Sequence, residues 1–265
     1  MKNTFSKFFL WVFVCALAFT EVKAQNPIDA FQPKVFHTDS DSLLYRILWP
    51  EDFDENEEYP VVLFLHGAGE RGSDNKTQLT HGSKLFLEHK SDFPAIVIFP
   101  QCPKSDYWSN VTIKTKKGKR TFHFDDKGDQ PANKSLKMVM QLVDSISDLA
   151  YVDNSRIYAA GLSMGGMGTF EIVSRKPDTF AAAIAICGGD NPASAKNYAG
   201  KVPFWIFHGE KDDVVPCKNS KRMAKAISKE GGEVKLTLYP EANHNSWDSA
   251  FAEPKLLPWL FSKRK

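Results

Sequence analysis

The chain has 265 residues, of which 42% are hydrophobic and 12% aromatic, so it can bury one large core, and it is not an intrinsically disordered chain. Its formal net charge is only +2, and the charge falls to about zero without residues 1–24, which hold three lysines and one glutamate. This balance gives no indication of a nucleic-acid or membrane-surface partner.

The first 24 residues have the pattern of a secretory signal peptide. Lys2 and Lys7 precede an apolar segment at 8–19, and Val22-Lys23-Ala24 resembles a cleavage site. About twelve apolar residues are too few for a helix that crosses a bilayer, which needs roughly twenty. We therefore expect cleavage after Ala24, a single domain at 25–265, no stable membrane anchor, and a periplasmic or secreted location.

Three cysteines remain in the predicted mature chain, namely Cys102, Cys187 and Cys217. An exported protein can form disulfides, but an odd number of cysteines leaves one thiol over. Their spacing fits no metal site of the Cys-x-x-Cys type. The sequence leaves open whether two of them pair or all three are partly buried free thiols, and it predicts no metal and no cofactor.

Along the chain, strands rich in Val, Ile and Phe alternate with helical patterns. The predicted strands are 42–49, 61–65, 95–99, 156–160, 181–187, 202–208 and 234–239. The predicted helices are 133–149, 167–175, 220–230 and 254–261. This alternation is typical of the α/β class, with a mostly parallel, doubly wound sheet covered by helices on both faces. Ligands of such sheets bind beyond the carboxyl ends of the strands.

Residues 111–124 depart from this alternation. Apolar residues recur at every second position on both sides of Lys117-Gly118, which predicts a surface β-hairpin. Five of the seven residues from 114 to 120 are basic. Two interpretations are open: a surface that attracts acidic substrates, or, more commonly, a strand edge kept soluble by its charge.

The segment Gly161-Leu162-Ser163-Met164-Gly165 has the G-x-S-x-G form of a nucleophile elbow. It follows a predicted strand and precedes a predicted helix, and so sharp a turn leaves no room for Cβ atoms beside the nucleophile. The same three fixed residues also occur in ordinary Gly/Ser turns. The motif therefore needs support from the rest of the chain, because a serine nucleophile requires a base and an acid that orients the base.

Both partners follow Ser163 in the order that a triad on this fold requires, which is serine, acid, histidine. Asp212 comes after the predicted strand 202–208, and His244 is the only histidine beyond the strand 234–239. Asp213 is the alternative acid, and we choose Asp212 because adjacent side chains leave a turn in different directions. We expect His208 to fix its turn.

Acyl transfer also needs backbone donors for the oxyanion of the tetrahedral intermediate. The N–H of Met164, the residue after the nucleophile, is one predicted donor. The second is assigned to Ala68, in the glycine-rich loop at 66–72, in which His66 is expected to be structural. This loop lacks the Gly-Lys-Ser/Thr ending of a phosphate-binding loop, so we expect no nucleotide.

Together these motifs resemble the α/β-hydrolase superfamily, and the chain looks like its secreted esterases labelled predicted peptidases or phospholipase/carboxylesterase-like proteins. The resemblance rests on residues 65–75, 99–103 with Trp108, 161–166 and 208–216, and it covers roughly residues 42–261. It implies a triad of Ser163, Asp212 and His244, and it places Trp108 near the acyl or alcohol pocket as a substrate-binding residue. The same superfamily includes feruloyl and acetyl esterases, thioesterases and dienelactone hydrolases. Ser163 argues against the last of these, which use cysteine at the elbow.

Only residues 188–201 separate the predicted strands 181–187 and 202–208, so we expect no large cap domain there and an open cleft for a bulky or polymeric ester. We predict a secreted serine esterase acting through an acyl-enzyme on carbohydrate-linked feruloyl or acetyl esters. The alternatives are a serine peptidase, a phospholipase or thioesterase, and, with least support, a non-enzymatic binding protein. Oligopeptidases of this kind carry a gating domain that the mature chain is too short to hold, and a binding protein would be expected to have lost a triad residue.

Overall fold

The structure is a computed structural model that describes residues 27–125 and 130–265. The predicted signal peptide at 1–24 lies outside these residues, so its cleavage stays a prediction. No helix in the described part of the chain is long and apolar enough to cross a membrane.

The described residues form ten strands, eight of them in one sheet. They are β1 (Gln32–His37), β2 (Ser42–Leu48), β3 (Tyr59–Leu65), β4 (Ile96–Pro100), β5 (Val111–Lys116), β6 (Lys119–Phe124), β7 (Val152–Leu162), β8 (Ala182–Ile186), β9 (Phe204–Gly209) and β10 (Val234–Tyr239). The order across the large sheet is β1-β2-β4-β3-β7-β8-β9-β10. Only the pairs β1–β2 and β2–β4 are antiparallel, and the five pairs from β4 to β10 are parallel. The predicted, mostly parallel sheet is confirmed.

Six α-helices accompany the sheet in the described residues. They are α1 (Ser83–Glu88), α2 (Lys134–Ser147), α3 (Met164–Arg175), α4 (Lys218–Lys229), α5 (Trp247–Phe251) and α6 (Leu256–Phe261). One apolar core includes residues of α2, α3 and α4, and a second includes residues of α1 and α6. Every residue of β4, β8 and β9 is buried, as expected for strands covered by helices on both faces. The helices thus cover the two faces of a doubly wound sheet.

Several boundaries differ from the prediction. The polar lead-in at 32–37 is a strand, because its backbone pairs along the whole of β2 although most of its side chains are exposed. The helix predicted from 167 already begins at Met164. The helix predicted over 133–149 ends at Ser147, and Leu149 is exposed. The short helices α1 and α5 were not predicted, since each is shorter than the pattern that identifies a helix.

The connections agree with the prediction of an open site. β5 and β6 form a separate hairpin that turns at Lys117 and Gly118, both with positive φ. The segment at 188–201 contains only a short 3-10 helix, Pro192–Asn197, and no cap domain occurs among the described residues.

The cysteine question is resolved in favour of free thiols. Cys102, Cys187 and Cys217 are all buried and unpaired with one another. Burial raises the pKa of Cys102 to about 12, so this thiol is protonated and unreactive at neutral pH.

Candidate active site

Ser163 sits at the point where β7 turns into α3. Its backbone has φ 54° and ψ −115°, a conformation that a non-glycine residue adopts only when its surroundings impose it. The surroundings do so, because the Ser163 N–H donates to Ile186 O at 2.8 Å and its carbonyl accepts from Met167 N at 3.0 Å. The strained turn raises the Ser163 side chain at the carboxyl edge of the sheet.

The two flanking glycines are required by close backbone contacts. A Cβ on Gly165 would lie 1.8 Å from Leu65 O, and one on Gly161 would lie 2.5 Å from Gly165 O. Both distances are far below ordinary contact. The structure therefore explains the G-x-S-x-G pattern by the packing of the elbow against the end of β3.

The three residues predicted as a triad come together at this edge. Ser163 Oγ lies 2.9 Å from His244 Nε2, and His244 Nδ1 lies 2.8 Å from Asp212 Oδ2. Ser163 follows β7, Asp212 follows β9 and His244 follows β10, so the carboxyl ends of three strands at one edge of the sheet supply the three groups. Asp213 is exposed, and its backbone N–H donates to Asn243 Oδ1. The geometry places Asp212, not Asp213, against His244.

The carboxylate of Asp212 is held by more than His244. Its Oδ1 accepts the N–H groups of Val214 and Val215 at 2.9 and 2.8 Å, and its Oδ2 lies 3.1 Å from His208 Nε2. Burial alone would raise the pKa of Asp212, but hydrogen bonds from His208, His244 and the Val215 N–H outweigh burial and hold the pKa well below its usual range. Asp212 is thus ionised at neutral pH and can stabilise a protonated His244.

His208 does more than the sequence indicated. Its ring is fully buried, with Nε2 at 2.9 Å from Val215 O and Nδ1 at 2.7 Å from Ser220 Oγ. Because Nε2 faces two acceptors, Val215 O and Asp212 Oδ2, we place a hydrogen on it. His208 therefore fixes the turn, as predicted, and also binds the carboxylate of Asp212, which sequence reasoning missed.

The predicted oxyanion donors lie beside the elbow. A Cβ on Gly67 would approach Leu162 Cδ1 to 2.9 Å and Ser163 Cβ to 3.7 Å, so the loop that carries Ala68 runs directly along Ser163. Ala68 starts a 3-10 turn and Met164 starts α3. The first N–H groups of such turns have no acceptor within the turn, so both can serve a ligand. Their role as an oxyanion hole stays a prediction.

His66 anchors this loop, as predicted. Its Nε2 accepts the N–H of Cys102 at 3.0 Å, and its Nδ1 lies 2.6 Å from Gly67 O, to which it donates. Burial lowers the pKa of His66 to about 4, so the ring is neutral at physiological pH. A neutral, buried histidine with both nitrogens engaged is a structural group and not an acid or base.

The prediction that Trp108 binds substrate needs correction. Its side chain is fully buried, its indole N–H donates to His66 O at 3.2 Å, and it packs so closely on α3 that a Cβ at Gly168 would lie 2.6 Å from Trp108 Cβ. A fully buried ring of this kind cannot touch a substrate. Trp108 supports the loop that carries Ala68 through its contact with His66, and its neighbour Tyr107 lines the pocket instead.

A cavity of about 280 Å³ opens above Ser163. Glu70 and His81 line it, and its walls also include aromatic and apolar side chains from four segments and one arginine. These residues are Tyr107, Ile113, Arg120, Phe122, Val214 and Trp247. The ring of Trp247 stands at 83° to that of His244, with 5.4 Å between their centroids. Ile113 and Phe122 belong to the apolar alternation that predicted the hairpin, whereas no pattern in the sequence marked Tyr107, Arg120 and Trp247 as pocket residues.

One cluster near the triad has the spacing of a metal site. Ligand atoms of Cys187, Asp212 and His244 lie within 4.8 Å of one another. However, burial raises the pKa of the Cys187 thiol well above its usual range, and both oxygens of Asp212 already accept hydrogen bonds. The donor set therefore does not fit a metal ion, which would need the thiolate.

Residues 53–255 match the sequence profile of the Phospholipase/Carboxylesterase family. The chain belongs to this family. A solved structure of a thermostable esterase aligns with it at a TM-score of 0.78 and 33% identity, over 90% of this chain and 64% of that one. The fold is thus the α/β-hydrolase fold that the sequence motifs resemble.

Two relatives of this family member are named for different activities. A bifunctional acetylxylan esterase/xylanase of Neocallimastix patriciarum is 34% identical over 87 residues, which is 33% of this chain and 13% of that protein. Dipeptidyl-peptidase 5 of Porphyromonas gingivalis is 23% identical over 243 residues, which is 78% of this chain and 33% of that protein. The chain spans a third or less of either relative. The chain thus belongs to a family of hydrolases, and the proteins similar to it include esterases and peptidases.

Proposed function

We propose that the protein is a serine esterase that cleaves carboxylic esters through an acyl-enzyme. One observation carries the proposal: an unbroken hydrogen-bonded chain runs from Ser163 Oγ through His244 to Asp212 Oδ2, with steps of 2.9 and 2.8 Å. The serine stands on a strained turn that the fold maintains, and a cavity opens above it. This is the arrangement by which a hydroxyl becomes a nucleophile at neutral pH.

The geometry assigns a step to each group. His244 Nε2 takes the proton of Ser163 as Oγ attacks the ester carbonyl, and Asp212 stabilises the imidazolium that forms. The oxyanion meets the N–H groups of Ala68 and Met164. The tetrahedral intermediate then collapses: the bond to the alcohol oxygen breaks, His244 gives its proton to that oxygen, and the acyl-enzyme remains. A water that His244 deprotonates attacks the acyl carbon, and when the bond to Ser163 Oγ breaks, His244 returns the proton to Oγ and the carboxylic acid leaves.

For the substrate we propose carbohydrate-linked esters, either feruloyl or acetyl. Three observations support this: the acetylxylan esterase relative, the predicted export of the chain, and a pocket that presents the rings of Tyr107, Phe122 and Trp247. Aromatic faces suit both sugars and a phenolic acyl group, because each offers apolar surface with polar edges. The cleft has no cap among the described residues that would exclude a polymer.

A peptidase is the second candidate, since Dipeptidyl-peptidase 5 matches over 78% of this chain. The same triad can cleave an ester or an amide, so the distinction must be measured. Purified protein should be assayed on p-nitrophenyl acetate, methyl ferulate and a peptide anilide. We expect ester hydrolysis and negligible anilide cleavage, and activity on the anilide alone would contradict the esterase proposal.

The mechanism is tested with Ser163→Ala, and Ser228→Ala serves as its matched control. Ser228 is an exposed residue of α4. Removing the nucleophile of a triad costs on the order of 10⁴-fold or more in kcat, whereas Ser228→Ala should retain full activity. Mass spectrometry should find an acyl group on Ser163 during turnover of a slowly deacylating ester. Undiminished activity in Ser163→Ala would rule out the mechanism.

A further inference from the structure

The hairpin of β5 and β6 has two chemically different faces. Residues directly opposite each other in an antiparallel pair share a face, and successive residues alternate between faces. The pair Ile113 and Phe122 therefore lies on one face, and this face lines the cavity above Ser163. The opposite face carries Lys114 and the directly paired Lys116 and Lys119.

The hairpin concentrates positive charge. Its five cations are Lys114, Lys116, Lys117, Lys119 and Arg120, which we call the basic ridge. All five are exposed, and none forms an ion pair with another residue in the described ranges. The whole chain has a formal charge of +2, so the rest of the chain carries −3 once these five charges are set aside. Such a local excess of cations attracts anionic partners.

Arg120 joins the basic ridge to the catalytic pocket. Because successive residues of a strand alternate between faces, Arg120 points to the cavity above Ser163 while its neighbours Lys119 and Thr121 belong to the outer face. The positive charge of Arg120 is also felt at Tyr107 in the pocket wall, where burial raises the pKa of the phenol to about 12 and the charges of Arg71 and Arg120 oppose that rise. Arg120 is thus the cation of the ridge that reaches the cavity, and an anionic chain that passes over the edge of the hairpin can contact both the outer lysines and the pocket.

The base of the hairpin is fixed to α3, the helix that follows Ser163. The buried carboxylate of Glu171 in α3 accepts the N–H of Asn110 at 2.7 Å and two N–H groups of Arg175 at 2.9 Å each. Arg175 also donates to Gln130 O at 2.9 Å, and Asn110 donates to Pro131 O at 2.9 Å. Asn110, just before β5, and Gln130 and Pro131, beyond β6, are thus held by hydrogen bonds to one another or to α3. A ligand on the hairpin therefore has a defined position relative to Ser163.

We propose that the basic ridge binds a polysaccharide that bears carboxylates, that is, uronic acid units, and presents the esters of that chain to Ser163. The inference rests on the proposed esterase function and narrows its substrate to acidic polysaccharides. The planar guanidinium of Arg120 matches a carboxylate, and the lysines add point charges along the chain. A single ligand that contacts both the ridge and the pocket must carry anions and carboxylic esters together.

Other anionic partners fit less well. An anionic membrane would require apolar residues that insert at the tip, but the tip is Lys117-Gly118 between further lysines. A nucleic acid would satisfy the ridge yet offers the pocket no carboxylic ester along its backbone. These partners are outcomes of the test below.

Binding is measured with Ser163→Ala, which keeps the ester intact, by affinity electrophoresis in polygalacturonate. We expect retardation at low salt that fades as salt is added, because exposed charges are screened. Combined Lys114→Gln, Lys116→Gln and Lys119→Gln changes should weaken binding by about tenfold or more. The control combines Lys225→Gln, Lys229→Gln and Lys255→Gln, three exposed lysines outside the hairpin, and should bind like the parent. Thermal melting of each variant verifies that it is folded.

Three binding results would overturn the docking proposal: no retardation by polygalacturonate, the same loss of binding in the control variant, or retention by dextran sulfate, DNA or anionic vesicles without retention by polygalacturonate.

A hydrolysis assay separates this proposal from the esterase function. Faster release of acetate from acetylated polygalacturonate than from a neutral acetylated xylan, with the preference lost in the ridge variant, supports both. Ser163-dependent hydrolysis without that preference supports the esterase function and overturns the docking proposal. Binding to polygalacturonate without any ester hydrolysis supports the docking proposal and overturns the esterase function.

Discussion

Replacement of Gly165 by alanine should separate the nucleophile from its oxyanion loop. The new Cβ would lie 1.8 Å from Leu65 O and 2.8 Å from His66 O, whereas ordinary contacts begin at 3.4 Å. The backbone would have to move apart by about 1.6 Å at the Leu65 carbonyl, the difference between 3.4 and 1.8 Å. His66 starts the loop that contains Ala68, so this movement pushes the Ala68 N–H away from Ser163.

The size of the effect follows from this overlap. Since the clash is with backbone and not with a flexible side chain, we expect a cost of about 3 kcal/mol, at the upper end for overpacking. For a domain of roughly 150–250 residues, this corresponds to a fall in Tm of about 6–12 °C. A displacement of about 1 Å at a catalytic group can cost about 100-fold in rate, so kcat/KM on p-nitrophenyl acetate should fall by about that factor or more.

Gly200→Ala is the matched control. Gly200 is exposed, a Cβ there would meet nothing within 4 Å, and its φ lies outside the left-handed region. Melting followed by circular dichroism and steady-state kinetics should therefore show little change for Gly200→Ala and large losses for Gly165→Ala. If both variants melt and turn over alike, the steric explanation of the elbow is wrong.

The remaining predictions concern the acid of the triad. Asp212→Asn should lower kcat by about 10⁴-fold, because the acid no longer holds the His244 tautomer, while Asp213→Asn, at an exposed position, should leave kcat close to that of the parent; equal effects would contradict the assignment of Asp212. His208→Leu removes a buried donor to a charged carboxylate and should cost about 3 kcal/mol of unfolding free energy in urea titrations. The lowered pKa of Asp212 contributes stability that is fully present above its ordinary value of 3.8 and is lost as the pH falls below that value. His208→Leu should raise the pKa of Asp212 toward its ordinary value, so the variant should be less stable at neutral pH, and its acid-dependent loss of stability should be smaller and end at a higher pH than in the parent. If unfolding free energies followed to a pH well below the ordinary value of 3.8 show the same loss in parent and variant, His208 is not a partner of Asp212.

The fold and the triad could be predicted because their signals are local in the sequence. Each parallel strand is a short apolar run, and Ser163, Asp212 and His244 each stand directly after or within a few residues of such a run. The rule that carboxyl ends of parallel strands meet at one edge then brings the three residues together without knowledge of any long-range contact. The extended strand β1 was not predicted, because its exposed side chains carry no apolar pattern and only pairing with β2 defines it.

The walls of the site could not be predicted in the same way. Trp108 and Tyr107 are neighbours with similar side chains, and the sequence does not say which one faces the cavity. The choice depends on the contact of Trp108 with Gly168 and His66, which are 60 and 42 residues away along the chain. The contacts of Trp247 with His244 and of His208 with Asp212 could not be predicted either. Each depends on how loops pack and not on a repeating pattern in the sequence.

The same contacts separate the chemistry of the site from its choice of substrate. The elbow is enclosed by backbone from β3 and β8, so a side chain at Gly161 or Gly165 is incompatible with the fold. The hairpin touches this machinery only through its inner face, and its ends are fixed by Glu171 and Arg175. Since surface substitutions away from such anchors usually cost within about 0.5 kcal/mol, the outer face is free to take any charge that a substrate requires. The three lysines of that face, Lys114, Lys116 and Lys119, are therefore not imposed by the packing of the fold, and the proposed interaction with an anionic chain accounts for them.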